Sequence, residues 1–224
     1  MSKILIRLFF VFVSLYSFSC SAASMFVISK KEDVFRYPFY FGVTGGYGST
    51  TWGMLVPSEN KASVALSIST PTSVSEGGAL WGVFAGYEII PTFAIEGNYS
   101  RYPIANVNFD PMSLFTFNHD GRTSFSTKTE AVALSGKFMF IIPKTTVRAF
   151  STVGAAGVHR DDVIADRWRL SPAFGVGFNY NLSEHVMAEI GINYTGGYGE
   201  SELDPAEDYI PFLYSGFFRL AYRF

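Results

Sequence analysis

The sequence is poor in charge, in cysteine and in long apolar runs. Of its 224 residues only 16% are Asp, Glu, Lys or Arg, well below the roughly 25% of an ordinary water-soluble domain. Either much of the surface faces something other than water or the core is unusually large. No Lys/Arg-rich run occurs and the net charge is −2, so the electrostatic footprint of a nucleic-acid binder is missing. The one cysteine, Cys20, leaves no disulfide framework. No Cys/His cluster offers a zinc site either, and no cofactor or metal is expected. After residue 23 no stretch has the 18 uninterrupted apolar residues of a membrane helix. The best candidate, Ala131 to Ile142, carries Lys137 and stops at Pro143.

What is present is hydrophobic and aromatic: 48% and 17% of the residues. Residues 1–23 read as a secretory signal peptide. Lys3 and Arg7 supply the positive start, Leu8-Phe9-Phe10-Val11-Phe12-Val13 the apolar centre, and Ser21-Ala22-Ala23 the small residues for cleavage after Ala22 or Ala23. The alternative, a lipid-bearing Cys20, is disfavoured. A lipoprotein signal places a leucine-like and then a small residue three and two positions before the cysteine, where this chain has Ser17 and Phe18. Residues 24–37 read as a lead-in on the periplasmic side.

The remainder alternates with a period of two. In Leu170-Ser171-Pro172-Ala173-Phe174-Gly175-Val176-Gly177-Phe178-Asn179-Tyr180 one face is apolar and the other small or polar, as expected of a strand with unlike faces. Ala188, Ile190, Ile192 and Tyr194 repeat the pattern against Met187, Glu189, Gly191 and Asn193. So do Phe218, Leu220, Tyr222 and Phe224 against Phe217, Arg219, Ala221 and Arg223. Charges on the inner face do not suit a soluble sandwich. They suit a membrane barrel, with lipid outside and a polar lumen. Closed barrels and helices alone satisfy every backbone group in lipid. The expected fold is therefore all-β, an eight-stranded antiparallel transmembrane β-barrel. Its strands are placed near 38–52, 78–89, 92–102, 128–142, 146–160, 169–181, 186–198 and 212–224.

Connections after the second, fourth and sixth strands are short. Those at 53–77, 103–127, 161–168 and 199–211 are longer and more polar, the asymmetry of periplasmic turns and external loops. Aromatic girdles at the two interfaces are assigned to Phe39, Tyr87, Phe93, Phe140, Tyr180, Tyr222 and Phe224 at the short-turn end. Trp52, Tyr99, Trp168, Tyr194 and Tyr198 are assigned to the other.

In order and spacing these segments resemble the OmpA-type transmembrane domain of outer membranes. Gly82-Val83-Phe84-Ala85-Gly86-Tyr87-Glu88-Ile89-Ile90-Pro91, followed by Phe93-Ala94-Ile95-Glu96-Gly97-Asn98-Tyr99, resembles that family's second hairpin. Leu134-Ser135-Gly136-Lys137, ending at Pro143, resembles its fourth strand, and Leu170 to Gly177 its sixth. The terminal Ala221-Tyr222-Arg223-Phe224 resembles its last strand. The resemblance covers roughly residues 38–224. It implies an outer-membrane location, lipid around the barrel, and an assembly signal in Tyr222 and Phe224 for the barrel-assembly machinery. Larger members continue into a peptidoglycan-binding domain, a tether that the resemblance does not carry over to this chain.

Parity assigns Glu88, Glu96, Lys137, Arg148, Arg169, Glu189, Arg219 and Arg223 to the lumen, and such charges need mutual partners. The resemblance implies that Glu96 and Lys137 belong to an ion-pair plug, whereas a further glutamate of the family falls on Gly191. The network either gates slow solute leakage or only fills the barrel, and the packed interior of eight-stranded barrels favours filling.

No catalytic residue is assigned. His159 near Asp161 and Asp162 superficially fits a histidine–carboxylate base, but the carboxylates and the barrel size of a barrel protease are lacking. Gly45-Gly46-Tyr47-Gly48 and Gly196-Gly197-Tyr198-Gly199 open no helix and so are not phosphate loops. The expected role is structural, in the cell envelope, with at most slow solute passage. The alternative is a surface adhesin or host-interaction protein acting through its external loops. The apolar Phe109, Met112, Leu114, Phe115 and Phe117 could contact a host or envelope protein or belong to strands continued above the membrane, with nothing to choose between the two.

Overall fold

The computed structural model describes residues 37–55, 71–110, 123–143, 145–198 and 209–224. The signal segment 1–23 and all of the lead-in except Tyr37 lie outside the described residues.

Among the described residues ten strands form: β1 (Phe39–Thr50), β2 (Pro71–Ser75), β3 (Gly78–Ile90), β4 (Phe93–Arg101), β5 (Ala105–Phe109), β6 (Ser124–Ile141), β7 (Val147–Asp161), β8 (Asp166–Asn181), β9 (Val186–Thr195) and β10 (Leu213–Arg223). Eight of them, in the order β1-β3-β4-β6-β7-β8-β9-β10, make a closed antiparallel barrel. β10 returns to β1 with Tyr40 opposite Arg223 and Thr50 opposite Leu213, so no edge is left in the wall. The remaining pair, β2 and β5, continues the start of β6 beyond the rim as a small antiparallel sheet.

Burial alternates strictly along the wall, residue by residue through β10 and most of β3 and β6. The outer face carries Leu134, Leu170, Ile190 and Ile192 at 64%, 71%, 61% and 61% exposure. The inner face buries Glu96, Lys137 and Glu189 almost completely. Apolar outside and charged inside is the reverse of a water-soluble protein, and it is what a bilayer selects.

Three sequence expectations change. The connection at 161–168 is a tight turn at residues 162–165, because Asp162 accepts hydrogen bonds from the backbone N–H of Ile164 (2.9 Å) and Ala165 (3.0 Å). The connection at 103–127 holds β5 and the beginning of β6, and Phe109 is buried there. Strand continuation accounts for that residue, while Met112, Leu114, Phe115 and Phe117 lie outside the described residues. Trp52 is no girdle residue. It shares the inward parity of Tyr40 and Thr50 and is fully buried.

Candidate functional site: the sealed lumen

At the short-turn end every barrel strand contributes a polar side chain to one buried network. Tyr40 comes from β1, Glu88 from β3, Glu96 from β4, Lys137 from β6, Arg148 from β7, Asn179 from β8, Glu189 from β9, and Arg219 with Arg223 from β10. Glu96 is the hub. It accepts from the Lys137 Nζ at 3.0 Å, from Arg219 Nη1 at 2.6 Å and from the Tyr40 hydroxyl at 3.0 Å. Lys137 also donates to Glu189, which lies 3.6 Å from Arg219 Nη1. A second knot forms around Glu88, which accepts from Arg148 at 2.9 Å and Arg223 at 2.5 Å. Asn179 joins the knots, accepting from Arg148 Nε at 3.1 Å and donating to Glu189 at 3.3 Å.

Four cations therefore face three carboxylates, and aromatic rings take up part of the excess. Arg219 lies 4.2 Å from the Phe217 ring centre and 4.7 Å from that of Phe84, while Lys137 lies 4.4 Å from that of Phe150. A cation over a ring face is attracted by the ring quadrupole, more strongly when desolvated. Room for the network comes from glycine: at Gly86 a Cβ would overlap the Tyr40 ring. Gly191 lies against the Phe217 ring.

Of the charged residues assigned to the lumen by parity, the structure gathers all except Arg169. That residue stands exposed, opposite Val158 near the long-loop end of β8. Parity names the face of a strand but not the height along it. Arg169 lies four residues from Ala173, which is at the level of Ser135 and Gly154, or about 13 Å along the strand.

The long-loop end is closed differently. Trp52, Ala105, Val107, Phe109, Phe125 and Tyr209 form a buried cluster. The Trp52 ring meets those of Tyr209 and Phe125 at 4.7 and 5.7 Å. The buried Arg160 lies 4.7 Å over Trp52, donates to Asp162 at 2.6 Å, and donates to the Tyr209 carbonyl at 2.7 Å. The Tyr209 hydroxyl donates to the Thr51 carbonyl at 2.7 Å, and burial pushes its phenol up to about 12. Sequence reasoning did not name this cluster, although the inward parity of Trp52 and Arg160 was available as a signal.

Between the two ends lies a small chamber walled by polar Asn98, Ser100, Ser135, Thr152, Asn193 and Thr195 and by apolar Tyr102, Ala131, Ala133 and Ala173, with about 30 Å³ of free space. That is room for about one or two waters. The histidine weighed as a base lies elsewhere, on the outer wall. His159 is 2.8 Å from Asp166 and stacks on Trp168 at 4.7 Å. Asp161 instead pairs with Lys128 at 3.5 Å, and Asp162 with Arg160. Among the described residues no cluster of metal-ligating side chains occurs. Tyr222 and Phe224 are exposed at the end of the last strand.

Comparison with known proteins agrees with this architecture. The profile of the family described as "Outer membrane protein beta-barrel domain" matches residues 10–210. Among solved structures, Neisserial surface protein A is 13% identical with a TM-score of 0.50, the match covering 83% of this chain and 97% of that one. The outer membrane protein OprG of Pseudomonas aeruginosa is 11% identical with a TM-score of 0.49, covering 84% and 97%. The N-terminal β-barrel domain of OprF from the same organism is 11% identical with a TM-score of 0.44, covering 82% and 97%. No curated protein matches the chain.

Proposed function

The chain belongs to the outer membrane protein β-barrel domain family, and from that premise we propose a structural barrel of the cell envelope that passes solutes slowly at most. The observation that carries this reading is the double closure of the lumen. A network drawn from all eight strands fills one end and an aromatic cluster the other, and the chamber between them holds about 30 Å³ of free space. Eight-stranded barrels are packed rather than open, and here the packing is ionic at one end and aromatic at the other. The exposed Tyr222 and Phe224 serve as the assembly signal, the segment 1–23 directs export, and the short turns face the periplasm.

The test is electrical. Wild-type protein reconstituted in planar bilayers should give no steady channel, whereas Glu96→Ala, which removes the hub of the network, should raise conductance if the network is also a gate. A steady conductance in the wild type would overturn the sealed-barrel reading. A second reading, surface binding through the loops, draws on one feature: the long-loop end is itself folded, with β2 and β5 built onto β6 over a buried aromatic cluster. Such a platform holds loops for recognition. Replacing 56–70 and 111–122 by short linkers should then abolish binding to cells while leaving envelope resistance intact.

A further inference from the structure

The outer wall is not evenly convex. Register aligns a row of outward residues across five neighbouring strands: Tyr47 of β1, Gly216 of β10, Ile192 of β9, Val176 of β8 and Ser151 of β7. The row on its long-loop side carries Tyr214, Tyr194 and Phe174, and the row on its other side Phe218 and Phe178. Gly216, Val176 and Ser151 of this row are thus smaller than the aromatic residues on either side, while Tyr47 closes the row at β1 and Ile192 stands out between Gly216 and Val176. A Cβ built on Gly216, or on the outward Gly45 beside Phe218, meets nothing within 4 Å. Two cavities of 590 and 820 Å³ open over this row and share Gly216, Ile192 and Val176. Both fall within the roughly 300–1,000 Å³ of small-molecule pockets.

The trough has a cause on the inner side of the wall. Gly175, Gly177 and Gly191 lie directly behind it, where a Cβ would run into Thr152 and Asn193, Phe150, and Phe217 respectively. With no side chains there, β8 and β9 have room to lie close against Thr152, Asn193, Phe150 and Phe217.

We propose that this trough is a lipid site that holds one acyl chain of a membrane lipid from the leaflet nearer the long loops. The proposal rests on the membrane reading above. Five strands span about 19 Å at about 4.8 Å spacing. A row perpendicular to strands tilted about 35–45° descends about 12 Å through the bilayer, close to the about 15 Å of one hydrocarbon leaflet. Tyr47, Gly216 and Ile192 each lie three residues from the loop ends of their strands, whereas Ser151 lies four residues from the short-turn end of β7, so the row starts in the leaflet nearer the long loops and runs down to the middle of the bilayer. Tyr194 and Tyr214 lie in the row on the long-loop side, and Tyr47, at the β1 end of the trough, turns its hydroxyl toward Gly77 just before β3; the lipid's polar end would lie there. A second copy of the chain fits poorly. A two-fold contact would set trough against trough and bury little, since a two-fold interface joins like surfaces.

The test uses the full chain, refolded into phospholipid vesicles containing a lipid with a photoactivatable group along its acyl chain. Cross-linked residues are mapped by mass spectrometry. Labelling should concentrate severalfold on Gly216, Ile192, Val176 and Ser151 relative to Val83, Ile95 and Leu134 on the opposite wall. Gly216→Leu, which fills the floor, should remove that excess without lowering the label elsewhere; Ser151→Leu serves if the first variant fails to show the boiled-versus-unboiled gel shift of a folded barrel. Even labelling around the belt overturns the site while leaving the membrane reading intact. Depletion of label at the trough relative to the opposite wall also overturns it, in favour of a second copy that covers this face. An absence of label at every outward position overturns both readings.

Discussion

The two ends of the lumen are closed by different chemistry and by different parts of the chain. At the short-turn end the closing groups sit on barrel strands and pair by charge across the lumen. At the long-loop end Trp52 and Tyr209 come from connecting segments and meet Phe125 and Arg160 of the wall by stacking and hydrogen bonding. The difference reflects what each end rests on. Register fixes eight strand positions to within a hydrogen bond, so short, directional ion pairs can be satisfied there. The segments that carry Trp52 and Tyr209 are tied by a few backbone bonds, Thr51 N–H to the Phe212 carbonyl and the Tyr198–Ile210 bridge, rather than by a continuous ladder, and rely on apolar burial, which is less demanding of angle.

The contrast is broken most severely at its ionic end. Glu96→Leu leaves Glu189 as the one carboxylate that Lys137 and Arg219 still share, with four cations facing two acids, and should cost about 3–5 kcal/mol, the usual penalty for half of a buried pair. Denaturant unfolding in detergent micelles reads this. Adding Lys137→Met should recover part of the loss, a coupling that a double-mutant cycle isolates. A loss below about 1 kcal/mol would mean that the ring packing, not the charges, holds this end.

The aromatic end should respond to alkali alone. Burial raises the Tyr209 phenol from 10.0 to about 12. A folded value above the free one gives stabilisation that is intact below pH 10 and lost as pH rises toward 12, by about 2 kcal/mol at most. Phenolate cannot donate to the Thr51 carbonyl. Trp52 fluorescence, read in a Trp81→Phe, Trp168→Phe background, should therefore change between pH 10 and 12 while the gel shift of the barrel persists, and Tyr209→Phe should remove the transition. If the barrel unfolds together with the Trp52 signal, the two ends are not independent.

The smallest effect is expected at Arg169. Its alternation suits the lumen but its side chain is exposed, so Arg169→Gln should change stability by no more than about 0.5 kcal/mol. A loss comparable to that of Glu96→Leu would place it in the network after all.

Much of the fold is legible along the chain because a strand has two faces and a bilayer sorts them strongly. Alternation through Leu170 to Tyr180 and through Phe217 to Phe224 is enough to state strand, inner face and lipid face. Eight such segments with short and long connections are enough to state a closed barrel. Strand ends are less legible: β7 and β8 run past the rim as far as Asp161 and Asp166 because Asp162 caps the turn between them. Polar residues there look like loop until the hydrogen bonds are seen.

The sequence by itself determined which residues face inward, since parity is a local property of the backbone. Only the tertiary structure decided how they meet. Which carboxylate serves Lys137, how high Arg169 stands, and that Trp52 closes a lumen rather than anchoring an interface all depend on strand stagger and tilt. So does the trough outside Gly175, Gly177 and Gly191, because it requires strands distant in the chain to be drawn together. Closure of the barrel sets those relations across the whole sheet at once, and no single strand carries them.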